Sequence, residues 1–138
     1  MSRPPSTQPT DAELGILRIL WESGPCELGV ICAELRRQRE IATTTVATML
    51  RVMLEKGLAK RIEGSSGYLW SAKVSRRATA GRMLRKLLNH VFDGSARLMM
   101  MHLIDGETLS QEDLRELREL LKSADDEPRS QRNDEEEP

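Results

Sequence analysis

The order of its hydrophobic patterns most constrains what this chain can fold into. Three segments with apolar residues at helical spacing come first, and two short extended runs follow. The linker between the extended runs holds two glycines, which allow the positive φ angles of a hairpin loop. The helical segments cover about residues 10–23, 27–37 and 43–56, and the extended runs cover 58–62 and 68–71. Three helices followed by a hairpin is the order of a winged helix-turn-helix.

Local signals predict where these helices begin and end. Thr10 and Glu13 have the spacing of a capping box, in which each side chain accepts a backbone N–H of the other residue. Gly24, followed by a proline, suits the end of the first helix. Gly57 after Lys56 ends the third helix in the same way, with a basic residue in its last turn.

Helical spacing returns after the hairpin. It predicts further helices over about residues 76–92, 95–104 and 110–122. The middle one is apolar on nearly all sides, and Ser110 with Asp113 forms a second capping-box pattern.

These patterns predict a mainly α-helical chain in four segments. Residues 1–9 contain three prolines and form a disordered leader. Residues 10–74 form a winged helix-turn-helix domain of three helices and a small β-hairpin wing, and residues 75–122 form a helical region. Residues 123–138 hold seven acidic side chains and no large apolar one, so we expect a disordered acidic tail.

The net charge of −1 conceals a strong asymmetry along the chain. Residues 36–92 carry 13 basic and 3 acidic side chains, a net charge of +10, whereas residues 1–35 and 93–138 carry −3 and −8. A strongly basic middle segment indicates a polyanion partner. The alternative is a solvated face neutralised in space by the acidic tail.

The sequence excludes several classes of protein. No apolar run approaches the ~18 residues of a membrane span, and the N-terminus lacks a signal-peptide core, so we expect a cytoplasmic protein without membrane insertion. There is no glycine-rich phosphate loop, no zinc-protease motif and no nucleophile elbow. We therefore expect no enzyme activity, no cofactor and no metal.

The cysteines and histidines are interpreted as structural. Cys26 and Cys32 lie six residues apart and form no C-x-x-C pair, and His90 and His102 have no partner at ligand spacing. We expect Cys32 in the core and Cys26 in a packed loop. A redox- or ligand-sensing regulator that acts through Cys26 or Cys32 stays open as an alternative.

The third helix carries the clearest functional signal. With its apolar stripe inward, its outward residues are small hydroxyl and methyl side chains plus Arg51, which suit base edges and thymine methyl groups in a major groove. Basic residues in the first wing strand and small polar residues at its tip suit phosphates or a minor groove. On the second wing strand, one of Tyr68 and Trp70 is expected to pack on the helices. The predicted DNA-binding residues are Thr43, Thr44, Thr45, Thr48, Arg51, Lys60, Arg61, Ser65, Ser66 and Tyr68.

The sequence resembles the penicillinase-repressor (BlaI/MecI) family of winged-helix transcriptional regulators over about residues 9–122. The resemblance rests on the order and spacing of several short motifs. They are Pro9-Thr10-Asp11-Ala12-Glu13-Leu14, Ile19-Leu20-Trp21, Thr44-Thr45-Val46-Ala47-Thr48-Met49-Leu50, Glu55-Lys56-Gly57-Leu58, Gly67-Tyr68-Leu69-Trp70-Ser71, Val74-Ser75-Arg76 and Leu109-Ser110-Gln111-Glu112-Asp113-Leu114.

The resemblance implies a homodimeric repressor that binds a palindromic operator in double-stranded DNA, with residues 75–122 as a dimerisation domain. The operators would lie upstream of antibiotic-resistance or stress-response genes, and a membrane protease-type sensor is a possible further partner. The short, apolar C-terminal helices are consistent with a dimer, because they cannot form a stable unit alone. The predicted dimer-interface residues are Met83, Leu87, Val91, Leu98, Met101, Leu103, Leu117 and Leu121.

The chain departs from the family pattern at several positions. Thr43 stands where the family usually has an aromatic residue or proline, and Val52 stands where it usually has an arginine. The Asn-Phe bond at which well-known members are cleaved is replaced by His102-Leu103, and the paired C-x-C motifs of copper-responsive relatives are absent.

The functional alternative to a repressor is a winged-helix protein-interaction module whose basic surface contacts an acidic protein. Steep salt dependence together with preference for one DNA duplex would separate the two, because protein partners do not read base sequence.

Overall fold

A computed structural model describes residues 8–126 of the chain. It confirms the mainly helical fold class, with a three-helix segment, an antiparallel hairpin and three more helices. The elements are α1 (Asp11–Ser23), α2 (Leu28–Arg36), α3 (Thr43–Lys56), β1 (Ala59–Gly64), β2 (Gly67–Ala72), α4 (Arg76–Val91), α5 (Ala96–Asp105) and α6 (Gln111–Asp126).

The predictions for the two ends of the chain fall mostly outside the described residues. Residues 1–7 of the expected leader and 127–138 of the expected acidic tail are among these. Helix α6 continues to Asp126, so it is longer than the sequence pattern predicted.

The chain divides into two compact units whose boundary lies between Lys86 and Leu87, inside α4. The first unit contains α1–α3, the hairpin and the first part of α4, and the second contains the end of α4 with α5 and α6. The functional division at residues 74 and 75 stays a prediction.

The core of the first unit is aliphatic and is built from apolar stripes of α1, α2 and α3. Ile16 and Leu17 of α1 pack with Ile31 of α2 and with the stripe of α3, and all are fully buried. The α3 stripe follows the 3.6-residue period, with Val46, Leu50 and Met53 facing inward. Because these positions are fixed, the opposite side of α3 faces solvent.

The capping signals are confirmed. The Glu13 backbone N–H donates to Thr10 Oγ1 at 3.1 Å, and the Thr10 N–H donates to Glu13 Oε1 at 2.9 Å. Ser110 and Asp113 form the same reciprocal pair at 3.0 Å in each direction. Both pairs satisfy backbone donors that a helix start leaves free.

The hairpin is tighter than the sequence pattern predicted. Its strands pair in register from Ala59 with Ala72 to Gly64 with Gly67, which leaves only two residues in the loop. The prediction of shorter strands, 58–62 and 68–71, was therefore wrong at the loop end. Glycine permits this geometry, because Gly67 has a φ of +135° and a Cβ on Gly64 would lie 3.0 Å from the Gly67 carbonyl oxygen.

An isolated β-bridge joins the hairpin to the segment before α2. Cys26 pairs with Trp70, with the Cys26 N–H donating to the Trp70 carbonyl at 3.0 Å and the Trp70 N–H to the Cys26 carbonyl at 2.8 Å. The base of the hairpin is thus fixed to the segment between α1 and α2.

The described part of the second unit, residues 87–126, has no closed core of its own. No residue of α5 or α6 is buried, although both helices carry several leucine, isoleucine or methionine side chains. Within it, the Phe92 and His102 rings pack edge to face with centroids 5.1 Å apart.

A buried ion pair joins the beginning of α1 to the end of α3. Lys56 Nζ lies 2.6 Å from Glu13 Oε1, and their side chains are only 10% and 6% exposed. Burial acts to raise the pKa of the Glu13 carboxyl, but the bonds from Lys56 and Thr10 and the Lys56 charge outweigh it, so the pKa is lowered. The sequence pattern predicted the capping role of Glu13 but not this partner.

We predict that Lys56→Met lowers the free energy of unfolding by about 3 kcal/mol, because it leaves the Glu13 carboxylate buried without its charged partner. Glu13→Gln keeps the oxygen that accepts the Thr10 N–H. The double variant should therefore be more stable than Lys56→Met alone. Urea denaturation of the four proteins at neutral pH measures this coupling.

The same pair predicts acid sensitivity. Because the folded-state pKa of Glu13 is lowered, its stabilising contribution is complete above the unfolded pKa and disappears as the pH falls through the folded value. Unfolding free energies measured between about pH 7 and pH 3 should fall less steeply for Glu13→Gln than for the wild type. Parallel curves would contradict this account of the pair.

Candidate nucleic-acid interface

The solvent-facing side of α3 carries small polar side chains. Thr44, Thr48 and Arg51 lie on one stripe at helical spacing, and all three are exposed. Thr45 is exposed beside them, and Val52 is 41% exposed. This face therefore offers hydroxyl groups, methyl groups and one guanidinium to a partner.

The Thr48 hydroxyl is already used as a donor inside the helix. Its Oγ1 donates to the Thr44 carbonyl at 2.9 Å. The hydroxyl oxygen keeps its acceptor capacity, and the methyl group stays available for apolar contact. Thr48 thus suits a partner that donates a hydrogen bond or presents a methyl group.

The beginning of α3 is held by a residue that the sequence analysis did not identify. Arg36, at the end of α2, donates from Nε to the Ile41 carbonyl at 3.1 Å and from Nη2 to Thr43 Oγ1 at 2.6 Å. The N-cap residue Ala42 has no side chain that could bond the free N–H groups of α3. No periodic pattern marks Arg36, because its partners are five and seven residues away across a turn.

The wing places one cation over two aromatic rings. Arg61 lies opposite Trp70 in the hairpin, and its guanidinium carbon is 5.7 Å from the Trp70 ring centroid and 5.1 Å from that of Tyr68. Trp70 packs against the core, whereas Tyr68 is 57% exposed. The prediction that one of these aromatics packs on the helices is confirmed.

The wing tip contacts Glu27, the residue that precedes α2. Ser66 Oγ donates to Glu27 Oε1 at 3.1 Å, and both residues are exposed. The Ser66 donor is therefore engaged within the chain, while Ser65 at the same tip is exposed and has no such bond among the described residues.

Arg51 on α3 and Lys60 on the first wing strand are exposed cations. Neither forms an ion pair with another described residue, in contrast to Arg37, Lys56 and Arg76. Arg51 lies on the polar face of α3, and with Lys60 on the wing it makes the helix and the hairpin suitable for a polyanion.

The residues predicted for the dimer interface are largely uncovered in the single chain. In the second unit, Leu87, Val91, Leu98, Met101 and Leu121 are between 42% and 66% exposed. Leu103 and Leu117 are half-buried there, and Met83 is half-buried in the first unit.

Both cysteines are withdrawn from solvent. Cys26 and Cys32 are both free and buried, and burial raises the pKa of the Cys26 thiol. The thiolate is the reactive form, so this environment disfavours oxidation. Among residues 8–126, no cluster of three metal-ligating side chains is present, and no helix is long and apolar enough to span a membrane.

Three packed helices, a strand-paired hairpin and an exposed polar face on the third helix define a winged helix-turn-helix domain. The family model described as penicillinase repressor matches residues 9–123, and the chain belongs to that family. It is a family of transcriptional repressors, not of enzymes.

Named relatives are distant in sequence but match over most of their length. The penicillinase repressor of Staphylococcus aureus is 21% identical over 110 residues, which cover 80% of this chain and 87% of that protein. The methicillin resistance regulatory protein MecI of Mammaliicoccus sciuri is 22% identical over 112 residues, covering 81% and 91%.

The similar solved structures superpose only partially on this chain. A MarR family protein from Bacillus stearothermophilus matches at 16% identity and a TM-score of 0.44, covering 82% of this chain and 75% of that chain. A mutant of ZitR from Lactococcus lactis matches at 16% identity and a TM-score of 0.42, covering 90% and 79%. The fold assignment therefore rests on the packing described above and on the family match.

We predict that both thiols react slowly in the folded protein. Alkylation by iodoacetamide near neutral pH, followed by mass spectrometry, should be much slower in buffer than in denaturant, because the thiols are buried and the Cys26 thiolate is disfavoured. Rapid labelling of either cysteine in the native protein would instead favour a redox-sensing role.

Proposed function

We propose that the protein is a homodimeric, sequence-specific repressor that binds a palindromic operator through α3 and the wing. The observation that carries this proposal is the exposed stripe of Thr44, Thr48 and Arg51 on α3. Lys60 on the first wing strand adds an exposed cation that has no ion pair among the described residues. An α-helix fits the major groove of B-form DNA, where small hydroxyl and methyl side chains can approach the base edges.

In this proposal, the threonines of α3 distinguish the bases. Thr48 would accept a hydrogen bond from a base amino group or pack its methyl on a thymine methyl, since its own proton is donated to the Thr44 carbonyl. Thr44 and Thr45, nearer to the beginning of the helix, would contact the neighbouring bases or the adjacent phosphate.

The cations and the wing would bind the phosphate backbone. Arg51 and Lys60 supply charge and have no ion-pair partner within residues 8–126, and Arg61 is oriented by Tyr68 and Trp70. Ser65 at the wing tip can donate to a phosphate. These contacts would fix the position of α3 without reading sequence.

Dimerisation is proposed from the second unit. Helices α5 and α6 contain no buried residue in the single chain, and a stable helix normally buries its apolar face. A second copy would cover that face on both chains at once in a two-fold arrangement. Two winged helices related by a two-fold axis fit two half-sites of a palindrome.

The regulated genes are proposed by analogy with the relatives. The names of those relatives refer to penicillinase and methicillin resistance, so genes for antibiotic resistance or a related stress response are the first candidates. A repressor of chromosomal genes would act in the cytoplasm. A membrane protease-type sensor would have to act at a bond other than one of the Asn-Phe type, because His102-Leu103 stands at that position.

Selection of genomic DNA fragments by the purified protein at ~150 mM salt tests the proposal, because this concentration weakens non-specific binding. We expect a palindrome to be enriched. A folded dimer that enriches no sequence would instead favour the protein-interaction module.

On the selected duplex, Thr48→Ala and Lys60→Ala should have different effects. Thr48→Ala should weaken operator binding about 10-fold and leave random-sequence DNA unaffected, because one base contact is lost. Lys60→Ala should weaken binding to the operator and to random-sequence DNA by similar factors, and it should reduce the salt slope of binding by about one. Arg18→Ala, which removes an exposed cation from α1, is the control for lost charge. Equal losses on both duplexes from Thr48→Ala would contradict its role in base recognition.

Leu121→Glu should shift the protein from dimer to monomer, because it puts a carboxylate into the proposed apolar interface. Ser123→Glu adds the same side chain on the opposite side of α6 and should leave the dimer intact. Sedimentation velocity at micromolar concentration distinguishes the two states. Monomers for both variants, or dimers for both, would contradict the interface on the apolar face of α6.

A further inference from the structure

We propose that Arg36 is a positioning residue for DNA specificity, which sets the orientation of α3 through its bond to Thr43. This inference rests on the proposed function and adds a residue to it. Arg36 is needed for the preference between DNA sequences and not for the attraction to DNA in general.

The geometry of the side chain supports this role. Helix α2 ends at Arg36 and α3 begins at Thr43, and the guanidinium spans the connection between them. Nε donates to the Ile41 carbonyl at 3.1 Å, and Nη2 donates to the Thr43 hydroxyl at 2.6 Å. These two nitrogens lie on one edge of a rigid, planar group, so both bonds fix a single geometry. One side chain thereby connects the end of α2 to the last part of the turn and to the first residue of α3.

Ile41 packs against the core, but few other hydrogen bonds hold this part of the chain. The backbone N–H groups of residues 37–39 donate to the Glu34 and Leu35 carbonyls, but those of residues 40–42 make no backbone hydrogen bond within the described chain. Ala42 provides no side-chain cap for α3. The two bonds of Arg36 are therefore the side-chain hydrogen bonds that fix this end of the helix within the described residues.

The proposed base contacts lie directly beyond this point. Thr44 and Thr45 follow Thr43 in the first turn of α3, and Thr48 is one turn further. Hydrogen bonds to base edges tolerate displacements of only about 0.5 Å, whereas attraction to phosphates tolerates more. Loosening the beginning of α3 should therefore weaken operator binding more than non-specific binding.

An exposed arginine could also contact a phosphate directly, and substitution by lysine separates the two roles. Lysine keeps the positive charge but cannot supply two donors at fixed positions on one plane. If Arg36 acts by positioning α3, Arg36→Lys weakens operator binding although the charge is kept. If it acts by charge alone, Arg36→Lys behaves as the wild type.

The test compares Arg36→Lys, Thr43→Val and the double variant with the wild type, on the selected operator and on a random-sequence duplex over a range of salt concentrations. We expect each single variant to weaken operator binding about 5- to 10-fold, with random-sequence binding and the salt slope unchanged. The double variant should be no more than about 2-fold weaker than either single variant, because both remove the same bond. Thr43→Val keeps the shape of the side chain and removes its hydroxyl, which is the acceptor of the Arg36 bond.

Arg37→Lys is the matched control. Arg37 is the next residue, is 76% exposed and pairs only with Glu34 among the described residues, so its substitution should leave operator binding unchanged. Amide hydrogen exchange of residues 46–48, the first amides of α3 that donate within the helix, supplies a readout without DNA. It should be faster in Arg36→Lys and Thr43→Val, with no change at the buried Leu50 and Met53.

Wild-type operator affinity in Arg36→Lys, or additive losses in the double variant, would overturn the positioning role. The positioning role would also be overturned if Arg36→Gln weakened binding to both duplexes equally and lowered the salt slope by about one, while Arg36→Lys bound DNA as the wild type does. A wild-type protein that prefers no duplex would overturn the proposed function itself. If the wild type does prefer the operator and Arg36→Lys binds it equally well, only the positioning role of Arg36 is overturned.

Discussion

Burial of the apolar stripe of α3 is the constraint on which the rest of the site depends. Val46, Leu50 and Met53 are completely removed from solvent against the first two helices. Because an α-helix has 3.6 residues per turn, burial of these positions forces Thr44, Thr48 and Arg51 to the opposite side. The face that we propose for DNA binding is thus a consequence of core packing. The Glu13–Lys56 pair holds the far end of α3 to α1, and Arg36 holds its beginning to α2, so the helix is fixed at both ends.

The features that could be predicted from sequence are those determined by nearby residues. Both capping boxes, the glycine ends of the helices and the three buried stripes depend on spacings of three to seven residues, and the structure contains them. The hairpin was predicted as an element, but its two-residue loop was not, because the pairing of Gly64 with Gly67 depends on how closely two backbones can approach. Element order was sufficient for the fold class.

Interactions between distant residues could not be predicted. Glu13 and Lys56 are 43 residues apart, and Ser66 and Glu27 are 39 apart, so no local pattern links them. These contacts also change how the predicted site is understood. The hydroxyls of Thr43, Thr48 and Ser66 are all engaged in bonds within the chain, so residues selected as DNA contacts from their exposure also have internal roles. In the second unit, periodicity predicted which leucines form the apolar face. In our proposal, the surface that covers these leucines belongs to a second copy of the chain.

The central claim is that two copies of this chain place two α3 helices on one duplex. Hydroxyl-radical footprinting of the protein on its selected DNA, combined with the stoichiometry of the complex, tests this claim most directly. The account predicts two chains per duplex and two protected regions related by two-fold symmetry, with their centres about one helical turn (~10 base pairs) apart or a multiple of it. A single protected region with one chain bound, or protection without symmetry, would contradict it.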